Sequence, residues 1–426
     1  MTHFNTQLLD YISSSPTPFH AVANGVDWLE DAGFQRLQES EAWALEVGKK
    51  YFVTRRDSSL IAFTVGARPV LDTGVRILGA HTDSPCLKVK PQPDVKKQGY
   101  HQVGVEVYGG VLLAPWFDRD LSIAGRVSVL NEQQVLEHHL IDLKRPVATI
   151  PSLAIHLDRT ANNDRSINPQ EQMLPVLWQT GLDGIDSFRD WLAGYLAGQG
   201  KAVAEVLDFD LSFYDVQSGA TLGVCDEFLA CARLDNLLSC FVALQSLVAS
   251  DNEVTNIVVL NDHEEVGSAS TAGAAGNLLT RVLDRLVPEL QARHRVESQS
   301  LMLSVDNAHG IHPNFAARHD ANHGPKLNDG PVLKFDANQS YASQSVIASQ
   351  VKLMARKANV PLQSYVTRAD MRCGSTIGPI TATKTGIETL DIGVPTFGMH
   401  SIRELAGAKD PELLYKLLTE FLNYYE

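Results

Sequence analysis

The sequence predicts an α/β protein whose main domain is built from both ends of the chain and is interrupted by a β-rich insertion. Three observations lead there. Short apolar runs at 257–260, 301–305 and 394–398 read as buried parallel strands, which need no polar face. From Leu234 onward such runs alternate with helical spacing. Between Pro91 and about residue 230 the pattern turns instead to successive β-type segments.

The elements follow in order. Residues 6–33 read as helix, a Pro-containing turn at 15–18, and a second helix on which Phe19, Val22, Val26 and Leu29 share one face. Strands at 60–65 and 75–79 come next, the second running straight into His81. Pro91 and Pro93 punctuate the chain before β segments at 100–108, 121–130, 135–143 and 147–157. Ile185, Phe188, Trp191, Leu192 and Tyr195 mark a helix over 185–196. A strand-like run ends near Val216. Asp235 then stands where a helix cap would, ahead of Leu237, Leu238, Phe241, Val242, Leu244 and Val248.

The chain has 426 residues, 36 basic and 50 acidic, for a formal charge of −14. At about 150 residues per domain, two or three domains are expected. With 44% hydrophobic and 20% charged residues it can build a large core, which excludes disorder and coiled coil. The acidic balance argues against nucleic acid, whose binding rests on clustered Lys and Arg. The apolar run 111–117 is short and holds Pro115, far below the roughly 20 residues of a membrane-spanning helix. The opening residues lack a basic stretch followed by an apolar one, so no secretory signal is expected. Five dispersed cysteines form neither a disulfide ladder nor a Cys-x-x-Cys pair and suit a reduced, cytoplasmic setting.

Chemistry concentrates at strand ends. His81 and Asp83 follow one predicted strand, Glu264 and Glu265 a second, Asp306 a third and His400 a fourth, while Asp235 opens a helix. In an open α/β sheet these ends share one edge, where ligands bind. Imidazoles and carboxylates with few sulfurs suit zinc, manganese or cobalt. Each residue alone has an ordinary reading: a hydrogen-bonded turn for His81 and Asp83, a helix cap for Asp235, a solvated face for the two glutamates. Their conjunction is what points to metal. Other motifs fail. His263-Glu264 is followed by Gly267 where a zinc helix needs histidine. Ser349-x-x-Lys352 and Lys384-Thr385-Gly386 lie too close together for a penicillin-recognising serine enzyme and lack its Ser-Asp-Asn element.

The strings Gly79-Ala80-His81-Thr82-Asp83-Ser84-Pro85, Arg233-Leu234-Asp235-Asn236, His263-Glu264-Glu265-Val266-Gly267-Ser268 and Ser304-Val305-Asp306-Asn307-Ala308-His309 come in the order seen in aspartyl aminopeptidases. So do Gly330-Pro331-Val332-Leu333-Lys334, Cys373-Gly374-Ser375-Thr376-Ile377-Gly378-Pro379 and Gly398-Met399-His400-Ser401-Ile402-Arg403-Glu404. The sequence thus resembles that family nearly end to end. The resemblance implies a mixed-sheet metallopeptidase core with helices on both faces, formed by residues 1–91 and 231–426. Residues 92–230 would be a β-rich dimerisation and lid domain. It implies removal of N-terminal Asp or Glu from peptides by two divalent metal ions per subunit, zinc foremost. One ion would be held by His81, Asp235 and Asp306, the other by Asp235, Glu265 and His400. Glu264 matches the general base and Asp83 the residue that orients His81. His156, delivered from a neighbouring subunit, and His309, Lys334 and Tyr341 match substrate contacts. Assembly as dimers forming a dodecamer is implied as well.

Two alternatives stay open at this level. One is another two-metal hydrolase on the same core, such as a neutral aminopeptidase, a carboxypeptidase or a deacylase. The other is a non-catalytic assembly protein with structural metals, against which an acid beside a ligand already argues.

Overall fold

The structure is a computed structural model that describes residues 2–181 and 185–425. Contacts divide the chain into two compact units. One runs to Ser84 and resumes over Gly219–Met399 and from Glu404 onward; the other comprises Pro85–Ser218 with His400–Arg403.

The first unit is organised by a nine-stranded mixed sheet. At its centre Thr255–Asn261, Val75–His81, Leu301–Val305 and Glu388–Gly393 run parallel. Lys50–Arg55, Ser59–Thr64 and Val332–Phe335 add antiparallel pairings toward the edges. Every residue of Val75–His81, Thr255–Asn261 and Leu301–Val305 is buried, as a strand covered on both faces requires. Alternation then sends successive side chains to opposite layers. Leu78 and Ala80 pack with helices Pro18–Asp31, Leu234–Val248, Ser345–Lys357 and Asp410–Leu422. Val75 and Ile77 pack with Leu278–Leu286 and the start of Ile377–Thr385 on the other face. Helices therefore cover both faces, as the sequence suggested. The N-terminal helix–turn–helix is present as His3–Ser13 and Pro18–Asp31.

The second unit carries a six-stranded antiparallel sheet. Its strands include Cys86–Lys97, Tyr100–Tyr108, Leu121–Leu130 and Glu205–Asp215, and helix Phe188–Gly198 packs on it through Phe188, Leu192 and Leu196. Contacts set the junctions at 84/85 and 218/219 rather than at 91/92 and 230/231. The reason at the first is that Pro91 and Pro93 fall in a bulge between Val89 and Asp94. No ladder N–H is needed there, so the prolines punctuate a continuous strand. At the second, Ala220–Leu222 pairs with Phe228–Cys231, which in turn pairs with Glu404–Gly407 of the first unit.

One expected β segment is absent. Residues 147–157 make only isolated bridges at Ala148 and Thr149, after which Pro151 offers no N–H to a ladder. Leu153, Ile155 and Leu157 are 57%, 46% and 75% exposed, and His156 lies among them at the surface rather than in a core.

Candidate metal centre

Parallel strands deliver the site residues to one sheet edge. His81 ends Val75–His81 and stands in register with Asn261, the last residue of the neighbouring strand. Asp262 to Glu265 leave that strand through His263 in the left-handed region and a short 3-10 turn. Asp306 follows Val305 directly, its N–H bonded to Ile392 O at 2.9 Å. Asp235 and Asn236 have non-helical backbone, so the regular helix begins after them. The Asp235 N–H donates to Glu404 Oε2 at 2.9 Å and its carbonyl accepts from Ser84 Oγ at 2.6 Å. Asp235 is thus anchored by its main chain, and its carboxylate turns toward His81 instead of capping.

His81 is 1% exposed and held at both ring nitrogens. Nδ1 lies 3.1 Å from Asp83 O and 3.4 Å from Asp83 Oδ1. Nε2 lies 3.5 Å from Asp235 Oδ1 and 3.6 Å from Asp306 Oδ1. With acceptors at Nδ1, the proton belongs there and Nε2 is left to ligate. Burial works against an imidazolium, but the carboxylates of Asp235, Asp306 and Asp83 outweigh it and raise His81 well above its usual pKa.

Among the described residues, His81, Asp235 and Glu265 bring one ligand atom each within 4.8 Å of one another. Glu264, beside them, is pushed up to about 7, by burial first and then by Asp306, Asp235 and Asp83, with His81 opposing. Carboxylates crowded this way repel one another, and a divalent cation between them relieves both that repulsion and the cost of burial. Hard oxygen donors with an imidazole are a donor set that zinc accepts. The residues present therefore fit a divalent metal.

On the Asp306 side a fixed cation completes the balance. Lys334 is 1% exposed, and its Nζ donates to Asp306 Oδ2 at 3.0 Å and to Asn307 O at 3.1 Å. Burial disfavours the Asp306 charge, yet Lys334 and His81 outweigh it and hold that carboxyl well below the usual range. The ammonium also lies 5.1 Å from the Tyr341 ring centroid. Tyr365 joins Tyr341 and His309 edge-on, at 6.5 and 5.7 Å. Lys334, Tyr341 and His309 are therefore brought together beside Asp306. His400 packs with the second unit, its Nδ1 3.1 Å from Gly110 O.

Two of the buried acids to which the sequence assigned no role bear on the site. Glu404, 2% exposed, holds the Asp235 N–H; Asp391, 0% exposed, sits in Glu388–Gly393. The available signal for Asp391 was a lone carboxylate between Leu390 and Ile392. Cys240 Sγ reaches His81 O at 3.0 Å, and burial pushes the thiol up to about 12, so it is a structural group. No disulfide joins the cysteines among the described residues, and no described helix is long and apolar enough to cross a membrane.

Known proteins resemble this chain over nearly its whole length. The family model for aminopeptidase I zinc metalloproteases (M18) matches residues 11–422. A probable M18 family aminopeptidase 2 from Pseudomonas savastanoi is 54% identical over 99% of this chain and 98% of its own length. One from Azotobacter vinelandii is 55% identical over 99% of this chain and 98% of its own. Among solved structures, the Ape4 and Nbr1 complex matches with a TM-score of 0.94 at 38% identity, over 99% of this chain and 85% of that one. The S. cerevisiae mApe1 dodecamer matches with a TM-score of 0.86 at 30% identity, over 99% of this chain and 97% of that one. An imidazole buried among carboxylates at the edge of this sheet, together with these likenesses, places the chain in the M18 family of zinc metallo-aminopeptidases, hydrolases that depend on a divalent metal.

Proposed function

We propose that the protein uses two divalent ions per subunit, zinc foremost and manganese or cobalt as alternatives, to remove N-terminal Asp and Glu from peptides. The observation that carries this reading is the position of Asp235, which stands 3.5 Å from His81 and also belongs to the trio with Glu265. One carboxylate shared by two ligand sets suits a bridge. His81, Asp235 and Asp306 would hold one ion; Asp235, Glu265 and, by the family resemblance, His400 the other.

Bound ions of this kind acidify water and polarise a carbonyl. The chain supplies the rest. Glu264, with a proton affinity raised toward neutrality, takes a proton from the attacking water and hands it to the leaving amine. Asp83 keeps Nδ1 of His81 protonated so that Nε2 faces the acids. Lys334 donates to Asp306 and Asn307, and its positive charge would attract an acidic substrate side chain. Tyr341 and His309 line the same region.

The resemblance extends the proposal to assembly. The exposed 153–157 segment would carry His156 to a neighbouring subunit, and the second unit would serve as dimerisation domain and lid within a dodecamer, a form named for mApe1. The setting proposed is cytoplasmic.

The test is an assay of Asp-, Glu- and Ala-terminated chromogenic substrates with and without chelator, alongside metal content per chain. Acid-selective, chelator-sensitive cleavage with two ions per chain is expected. Equal rates on neutral and acidic termini, or one ion per chain, would remove the corresponding part of the proposal.

A further inference from the structure

At the level of Lys334 a row of paired residues crosses the sheet. Gly79 pairs with Ser304, Ser304 with Asp391, and Lys334 with Tyr365. Val332 and Leu333 pair antiparallel with Gly393 and Ile392, so the next rung sets Lys334 opposite Asp391. Cross-strand partners share a face. Asp391 therefore lies beside the ammonium, 0% exposed, in a position that the proposed chemistry leaves without a role.

Its carboxylate ties down two separate segments. Oδ2 accepts the Ala342 N–H at 2.7 Å, and Oδ1 accepts a short hydrogen bond from the Thr376 hydroxyl. The Asp391 N–H donates to Ser343 Oγ at 2.9 Å, which adds a second tie to the 341–343 turn. Thr376 is also the cap of helix Ile377–Thr385. A Cβ on Gly378 would sit 2.5 and 2.6 Å from the two Asp391 oxygens, so a glycine there lets the helix start approach the acid. On the side toward Lys334 the same two segments meet again, where Cys373 packs against Tyr341. The wall around Lys334 is thus joined twice, by Tyr341 with Cys373 above and by Asp391 beneath.

We propose that Asp391 is a positioning residue for substrate selection, fixing the Tyr341 turn and the Cys373–Thr376 segment as one wall of the Lys334 pocket. This rests on the reading of Lys334 as the acid-recognising group. Asp391 touches no substrate itself; removing it lets the two segments move apart while His81, Asp235, Glu265 and Glu264 stay on their own supports.

The test compares Asp391→Ala, Asp391→Asn, Thr376→Val and Lys334→Ala with the wild-type protein, reading KM, kcat, metal content and the preference for Asp- over Ala-terminated substrate. Asp391→Ala is expected to raise KM for the acidic substrate about tenfold or more, the scale of losing hydrogen bonds to a charged group. Its kcat changes less and its metal content stays normal. Asp391→Asn, which keeps an oxygen for the Ala342 N–H, recovers much of the loss, and Thr376→Val shows part of it. If Lys334→Ala abolishes the preference while Asp391→Ala keeps wild-type KM and preference, the inference is overturned and the acidic-pocket reading stands. If Lys334→Ala keeps the preference, that reading falls and takes the inference with it. Equal loss of kcat on every substrate together with lost metal overturns the positioning role in favour of a merely structural one. Should Asp391→Ala not fold, wild-type KM and preference in both Asp391→Asn and Thr376→Val overturn the inference.

Discussion

Asp83 offers its two carboxylate oxygens to consecutive backbone N–H groups, Oδ1 to Glu264 and Oδ2 to Glu265, each at 3.1 Å. The same Oδ1 lies 3.4 Å from His81 Nδ1. One buried acid therefore sets the His81 imidazole and the turn that carries both glutamates, although 181 positions separate it from Glu264. Replacement of Asp83 by alanine is expected to lower metal affinity about 10–100-fold, as losing such supporting partners does. It should also lower turnover at saturating metal, because Glu264 loses its anchor. Titration with a competing chelator, followed by kinetics at excess zinc, separates the two effects; unchanged affinity would show that His81 needs no such support.

Glu264→Gln keeps the shape of the side chain and removes its basicity. Metal content is expected to stay at the wild-type level while kcat falls by about 10²–10⁴-fold, the range for general acid–base catalysis. Near-normal turnover would strip Glu264 of the proton-transfer role.

Lys334 and Asp306 form a buried pair, with side chains 2% and 13% exposed. Lys334→Met leaves Asp306 without that partner, and breaking one half of such a pair costs roughly 3–5 kcal/mol. The loss should be largest in chelator and smaller with zinc, because the ion then balances the Asp306 charge. Urea unfolding with and without metal measures it, and identical losses in both conditions would argue against Asp306 as a ligand.

Asp410 supplies a pH dependence away from the metal centre. Its carboxylate accepts N–H bonds from Asn328 at 2.7 Å and Gly330 at 3.0 Å, yet burial pushes it up to about 6. The folded pKa lies above the model-peptide value near 3.9, so the protonated form is the one folding favours. The stability this contributes is present in full below about pH 4 and is lost as pH rises through about 6, by roughly 3 kcal/mol in all. Unfolding between pH 4 and 7 should show wild type losing stability relative to Asp410→Asn as pH rises; a flat difference would show that Asp410 titrates normally.

The sequence by itself determined the α/β class, the strand-end placement of His81, Glu264, Glu265 and Asp306, and the family, because each of these is written in local periodicity and contiguous motifs. It could not distinguish Asp235 as a cap from Asp235 as a ligand, since both begin a helix. The folded chain shows main-chain bonds to Glu404 and Ser84 and a carboxylate that faces His81, 3.5 Å away, instead of capping the helix. Residues 147–157 were misread for a similar reason: an apolar composition states what a segment can bury, and among the described residues the segment finds only isolated bridges, at Ala148 and Thr149. Only the folded sheet showed that Lys334 is paired with Asp306 and rests beside Asp391, because register between strands far apart in the chain is a property of their shared hydrogen-bond ladder and of no single segment.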